Sequence, residues 1–203
     1  MQIEVKNVNF AYTSKHPVLQ GVNFLAKTGE RVALTGPSGS GKSTLAGIIA
    51  GNIAPGSGEV LFDGEALPKR GFCPVQLIYQ HPEKAINPRR KLGRTLTEAW
   101  EPDEGILNAL GIERAWLGRY PAELSGGEMQ RFCIARTLSP RTKFIVADEI
   151  TTMLDVITQA QVWALLLSVL ESRGIGLIAI THSAELAKRV CSRTVSLGEI
   201  NKV

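Results

Sequence analysis

The chain has little to offer a soft metal ion: only three histidines and three cysteines, Cys73, Cys133 and Cys191, in 203 residues. The cysteines lie far apart without paired spacing, which argues against a zinc module or a disulfide framework and suits a reducing compartment such as the cytoplasm. Long apolar runs are missing as well. None approaches the roughly 20 residues that cross a bilayer, and Met1-Gln2-Ile3-Glu4-Val5-Lys6 lacks the apolar stretch of a secretion signal. Any role at a membrane then requires other chains to span it. Charge of one sign is also scarce: 23 basic against 19 acidic residues leave a thinly spread +4, and no nucleic acid partner is expected. There is no internal repeat, low-complexity tract or long linker. With 44% hydrophobic and 21% charged residues, the composition is that of one soluble globular domain over residues 1–203.

What the chain does have is Gly36-Pro37-Ser38-Gly39-Ser40-Gly41-Lys42-Ser43-Thr44, which fits the phosphate-binding pattern G-x-x-x-x-G-K-[ST]. Its glycines allow successive backbone N–H groups to surround a phosphate, Lys42 adds positive charge near the β- and γ-phosphates, and Ser43 supplies a hydroxyl to Mg²⁺. The apolar run Arg31 to Thr35 precedes it as a strand, and Leu45, Ile48 and Ile49 follow at helical spacing before Gly51.

Around this loop, residues 1–35 read as short strands, in which Ile3 and Val5, Val8 and Phe10, and Val22, Phe24 and Ala26 alternate with polar residues. Gly58 to Phe62 adds a strand before the Asp63-Gly64 turn, completing an antiparallel layer. Residues 82–140, richer in helical pattern and in Pro, Arg and Gly, suggest an inserted helical subdomain. The final third returns to strand–helix alternation. Lys143 to Ala147 and Gly176 to Thr181 are buried strands, and a helix from about Ile157 to Glu171 carries Trp163, Leu166, Leu167 and Leu170 on one face. The expected fold is α/β, with a mainly parallel core sheet, an antiparallel β layer and the helical insertion.

Asp148-Glu149 follows the strand directly, at the carboxyl end where open α/β sheets place their ligands. Asp148 suits a metal ligand there and Glu149 a base that orients and deprotonates water. Leu124-Ser125-Gly126-Gly127-Glu128-Met129-Gln130 has the S-x-x-E spacing of a capping box ahead of a helix carrying Met129, Phe132 and Cys133. A capped helix start with two glycines also exposes amides and a positive dipole end to phosphate, so both readings hold at once.

The phosphate loop, Gln80, Leu124 to Gln130, Asp148-Glu149 and His182, in this order, resemble the nucleotide-binding subunits of ATP-binding-cassette (ABC) transporters over nearly the whole chain. The resemblance implies an ATPase using ATP and Mg²⁺. It casts Lys42, Gln80, Glu149 and His182 as catalytic, with Gln80 touching Mg²⁺ or the attacking water and His182 the γ-phosphate. Tyr12 looks like the aromatic that stacks on adenine, with ordinary strand packing as the alternative. Ser125, Gly126, Gly127 and Glu128 correspond to the family signature, and Asp155 would link two sites. In this family ATP lies between the phosphate loop of one subunit and the signature helix of another, so a second ABC ATPase subunit, identical or homologous, is implied. So are transmembrane permease subunits, an external substrate-binding protein and a peripheral location on the cytoplasmic face of the membrane. Ile150, Thr152-Met153 and Ser183 depart from the usual residues without removing a reacting group, and Ser183 still suits a cap for the helix containing Glu185, Leu186 and Val190.

The segment Tyr79-Gln80-His81-Pro82-Glu83-Lys84-Ala85-Ile86-Asn87-Pro88, Tyr120 to Leu124, and Leu154 to Gln161 are similar to the dipeptide, oligopeptide and nickel importer branch. That likeness implies import of peptides or of a metal such as nickel. The chain ends about 20 residues after His182, without the extension of many peptide-importer cassettes. The alternative class is a cytosolic mechanical ATPase of DNA repair or translation. Its relatives carry coiled coils, zinc modules or two cassettes in one chain, none of which is found here.

Overall fold

The computed structural model of the protein describes residues 1–13 and 16–203. In chain order the elements are β1 (Gln2–Thr13), β2 (His16–Lys27), β3 (Arg31–Thr35), α1 (Lys42–Ile49), β4 (Ser57–Phe62), β5 (Glu65–Ala66) and β6 (Val75–Ile78). They continue with α2 (Leu92–Leu96), α3 (Glu104–Ala109), α4 (Gly126–Thr137), β7 (Phe144–Asp148), α5 (Val156–Arg173), β8 (Gly176–Ile180), α6 (Ala184–Val190), β9 (Arg193–Ser196) and α7 (Leu197–Ile200). Short 3₁₀ turns at Pro82–Lys84, Arg114–Gly118 and Pro121–Glu123 punctuate the middle of the chain. Among the described residues no helix is long and apolar enough to cross a membrane.

The chain divides into two compact units, one of residues 1–77, 143–148 and 174–203, the other of residues 78–142 and 149–173. The first holds an antiparallel sheet of order β2-β1-β4-β5 and most of a second sheet of order β6-β7-β8-β3-β9. In the second sheet β3 pairs in parallel with β8 and β9, and β7 with β8. Strands buried on both faces need apolar centres, and residues 32–34 of β3, 144–147 of β7 and all of β8 are such runs. Val32, Leu34, Phe144, Val146 and Ile178, all fully buried, share one core with Ile3, Val22, Leu45 and Ile49.

The expected short strands near the N-terminus are two strands of 12 residues each. Val5 opposes Phe24 and Val8 opposes Val22, so three residues of β1 span two of β2, and Asn7 takes the extra step at a φ of 49°. The bulge shifts the inward phase by one residue, which makes one strand read as two in the alternation. Strands β6 and β9 and helix α7 were not anticipated. They are four residues each, too short to show periodicity.

The second unit is helical. Its buried side chains include Leu92, Leu96, Ile106, Trp116, Phe132 and Leu166. Trp163 Nε1 donates to the hydroxyl of Thr151 at 3.3 Å, and Arg173 donates to the carbonyl of Leu138 at 2.7 Å. On α5, Leu170 and Trp163 are buried as expected, Leu167 is only half-buried, and Val162 and Val169 complete the inward face.

Candidate functional site

The phosphate loop leaves the buried strand β3 and enters α1 through Gly41, whose φ of 101° lies in the left-handed region. A side chain there is excluded twice, because a Cβ would also stand 2.8 Å from Val18 Cγ1. Gly39, at φ 77°, has open space where its Cβ would be. Lys42 is only 6% exposed, and its ammonium donates to the carbonyls of Gly36 at 2.9 Å and Pro37 at 2.7 Å. The cation is thereby folded back across the loop that it closes. Ser40 Oγ is buried with no partner among the described residues. A hydroxyl enclosed by a cationic, glycine-lined loop and left unsatisfied fits an oxyanion ligand.

Register places other groups beside this loop. Asp148 pairs with Ile180, and Ile180 with Leu34, so the ends of β7, β8 and β3 form one row. Asp148, His182 and the loop from Gly36 therefore leave the same carboxyl edge of the sheet. Asp148 is buried, whereas Ser43 and His182 are exposed. Among the described residues no cluster of His, Cys, Asp and Glu forms a cage for a metal. One carboxylate and one hydroxyl, both hard oxygen donors, fit Mg²⁺, which takes few protein ligands when phosphates supply others. Tyr12, next to last in β1, has 68% of its surface exposed, its ring edge-on to Phe10 at 4.9 Å and its hydroxyl 3.2 Å from that of Thr44.

The remaining candidates belong to the second unit. Gln80 Nε2 donates to Glu149 Oε2 at 3.0 Å, joining residues far apart in sequence. Glu149 has a φ of 49°, a left-handed backbone that costs a non-glycine residue about 1–2 kcal/mol. The turn is held locally, with the carbonyl of Glu149 accepting from Thr152 N at 3.3 Å and Thr152 Oγ1 at 3.1 Å. Ile150 is buried, which gives the apolar residue a packing role.

Ser125 and Glu128 form the anticipated capping box on α4: Ser125 Oγ accepts from Glu128 N at 3.3 Å, and Glu128 Oε2 accepts from Ser125 N at 2.7 Å. The Ser125 backbone N–H, followed by its hydroxyl, holds the Glu128 carboxyl below its ordinary pKa. Asp155 caps the start of α5, accepting from Ile157 N, Thr158 N and Thr158 Oγ1, and the Thr158 hydroxyl is the main cause of its lowered pKa. Ser125, Gly126, Gly127, Glu128 and Asp155 line one open cavity of about 340 Å³. The two glycines let the chain at 153–154 approach: Cβ atoms on them would stand 3.0 Å from Met153 Sδ and Leu154 Cδ2. A larger cavity of about 640 Å³, lined by Phe24, Leu25, Glu30 and Arg193, sits at the amino ends of β3 and β9 and shares no residue with the phosphate loop.

One residue without an assigned role stands out here. Gln130 is 1% exposed, and its amide donates to the carbonyl of Tyr79 at 3.0 Å. Its signal in the sequence is a polar side chain on the apolar face that Phe132 and Cys133 continue.

A family model described as ABC transporter matches residues 19–152. The nickel import ATP-binding protein NikE of Shigella boydii serotype 4 is 33% identical over 91% of this chain and 77% of its own length. The methionine import ATP-binding protein MetN of Caulobacter vibrioides is 33% identical over 90% of this chain and 59% of its own. Among solved structures, a dimeric ATP-binding cassette in a post-hydrolysis state, bound to ADP and Pi, superposes with a TM-score of 0.80 at 26% identity, covering 96% of this chain and 93% of that one. The chain thus belongs to the ABC transporter family, as an ATP-hydrolysing cassette.

Proposed function

We propose that residues 1–203 act as one ATPase domain, the energy-converting subunit of an ABC importer, and that Glu149 is its general base. The hydrogen bond from Gln80 to Glu149, at 3.0 Å, carries this reading. It orients a carboxylate that immediately follows the Asp148 strand end, on a backbone strained in the way functional sites tolerate. In this account Glu149 takes a proton from water attacking the γ-phosphate in line. Lys42, His182 and the loop amides hold the charge that develops. Ser43, Asp148 and Gln80 would hold Mg²⁺, which when bound neutralises phosphate charge.

Ser125 to Gly127 of a second cassette would complete each ATP site, so turnover requires a dimer, identical or with a homologous chain. Hydrolysis then releases the dimer and drives permease subunits that span the membrane. The chain would sit peripherally on the cytoplasmic side, served by an external substrate-binding protein. The post-Gln80 element supports nickel or peptides as cargo, the name of the nickel import relative supports nickel, and the names of the import relatives favour transport over a cytosolic mechanical role.

Uptake of nickel or growth on peptides should fall after deletion of the gene, and the chain should co-purify with a permease. Unchanged uptake of both, together with loss of an export phenotype, would remove the importer assignment.

A further inference from the structure

Three side chains of α4 meet one strip of backbone. Gln130 Nε2 donates to the carbonyl of Tyr79 at 3.0 Å, the Cys133 thiol lies 3.8 Å from that of Pro82, and Arg136 Nη1 donates to that of Ala85 at 2.8 Å. The donors are three apart on the helix and the acceptors three apart on the loop, so every pair is separated by the same 51 residues. Positions i and i+3 lie on one face of a helix. The acceptor strip contains the 3₁₀ turn Pro82–Lys84, which itself repeats every three residues. Two ladders of period three therefore run side by side in register. The strip begins beyond the end of β6, where no sheet ladder supports it.

Stability alone does not explain a glutamine at position 130. Its Oε1 is buried without a partner among the described residues, a cost that methionine of similar length and volume would avoid. What the glutamine provides is the bond to Tyr79. That carbonyl belongs to the planar peptide whose nitrogen is that of Gln80, so anchoring it fixes the direction in which the Gln80 side chain departs. Gln80 in turn donates to Glu149.

We propose that Gln130 is a positioning residue for hydrolysis: it anchors the Tyr79–Gln80 peptide to the helix capped by Ser125, and so sets the Gln80 amide against the Glu149 carboxylate. Cys133 and Arg136 keep the following residues in register. Burial raises the Cys133 thiol to about 12, so it stays a protonated donor. Arg136 is itself braced by Glu98 at 2.9 Å. The inference rests on the reading of Glu149 as the base.

The test is steady-state ATP hydrolysis by the full chain carrying Gln130→Met, which removes the donor and keeps the volume. We expect kcat to fall about 10-fold with KM for MgATP within about twofold, and the melting temperature to hold or rise. In a cycle with Gln80→Ala, the double variant should turn over no more slowly than Gln80→Ala alone, because the amide being positioned is already gone. Unchanged kcat in Gln130→Met, a loss that multiplies with that of Gln80→Ala, or a fall in melting temperature with KM and kcat both impaired each overturns the proposal. If Gln130→Met does not fold, Gln130→Leu is measured in the same way; failure of both to fold makes the residue structural and also overturns it. Near-normal turnover in Glu149→Gln would instead remove Glu149 as the base, whereas an inactive Glu149→Gln beside an unimpaired Gln130→Met removes only the role of Gln130.

Discussion

The two units hold their chemical groups in different ways. In the first, the phosphate loop is built from nine consecutive residues, Gly36 to Thr44, and its lysine is tied to carbonyls five and six positions away. In the second, Gln80 reaches Glu149 across 69 residues, and Gln130 reaches Tyr79 across 51. A locally built group keeps its geometry as long as its own strand and helix persist. A group built from distant contacts depends on the packing of several elements and can be displaced without unfolding. The difference suits a division of labour in which the loop binds and the second unit decides when bond cleavage follows.

Breaking the local half should have the largest effect. Lys42→Ala removes the ammonium folded over the loop, and we expect nucleotide affinity to fall at least ~10²-fold with turnover abolished, as read by calorimetric titration and phosphate release. Ser125→Ala should leave nucleotide binding by the same chain within about twofold and lower turnover by about 10-fold or more. Mixing it with Lys42→Ala should restore one competent site per mixed dimer; no recovery, with mixed dimers shown to form, would contradict the shared site. Because Ser125 also caps α4, its loss should cost about 1 kcal/mol of stability, and Ser125→Asn should recover the stability but not the turnover.

Two smaller effects sharpen the comparison. Glu149→Gly removes the side chain and relieves the left-handed backbone, so the variant should be inactive yet more stable by up to about 1 kcal/mol in denaturant unfolding. Equal or lower stability would show that the turn is not strained. The Glu128 carboxyl titrates below its ordinary value of 4.5, held there first by the Ser125 backbone N–H. A depressed carboxylate stabilises the fold fully above its unfolded pKa and loses that contribution as pH falls through the folded one. The stability difference between the wild-type chain and Glu128→Gln should therefore shrink below pH 4.5, as urea midpoints would show.

The same contrast governs what could be read from the sequence. The phosphate loop, Asp148 at the end of its strand, the Ser125 cap and the Ser183 cap, whose hydroxyl accepts from Leu186 N at 3.1 Å, are all written within a few residues. Local chemistry of that kind is legible without a fold. The order of Gln80, the signature and His182 supplied the family, but not the bond between Gln80 and Glu149, since spacing carries no distance. The bulge at Asn7 hides the length of β1 in the pattern, and the period-three ladder on α4 leaves no trace in the sequence because its acceptors are backbone carbonyls, which every residue possesses. The left-handed φ of Glu149 had no signal either, as glutamate gives no sign of such a conformation.

The most direct test of the division of labour measures ATP affinity and turnover side by side in Glu149→Gln, which keeps the size of the residue and much of its hydrogen bonding while removing the base. The account predicts affinity within about twofold of the wild-type chain, turnover lowered at least ~10²-fold, and an ATP-trapped dimer. Near-normal hydrolysis, or affinity lost in proportion to turnover, would contradict it.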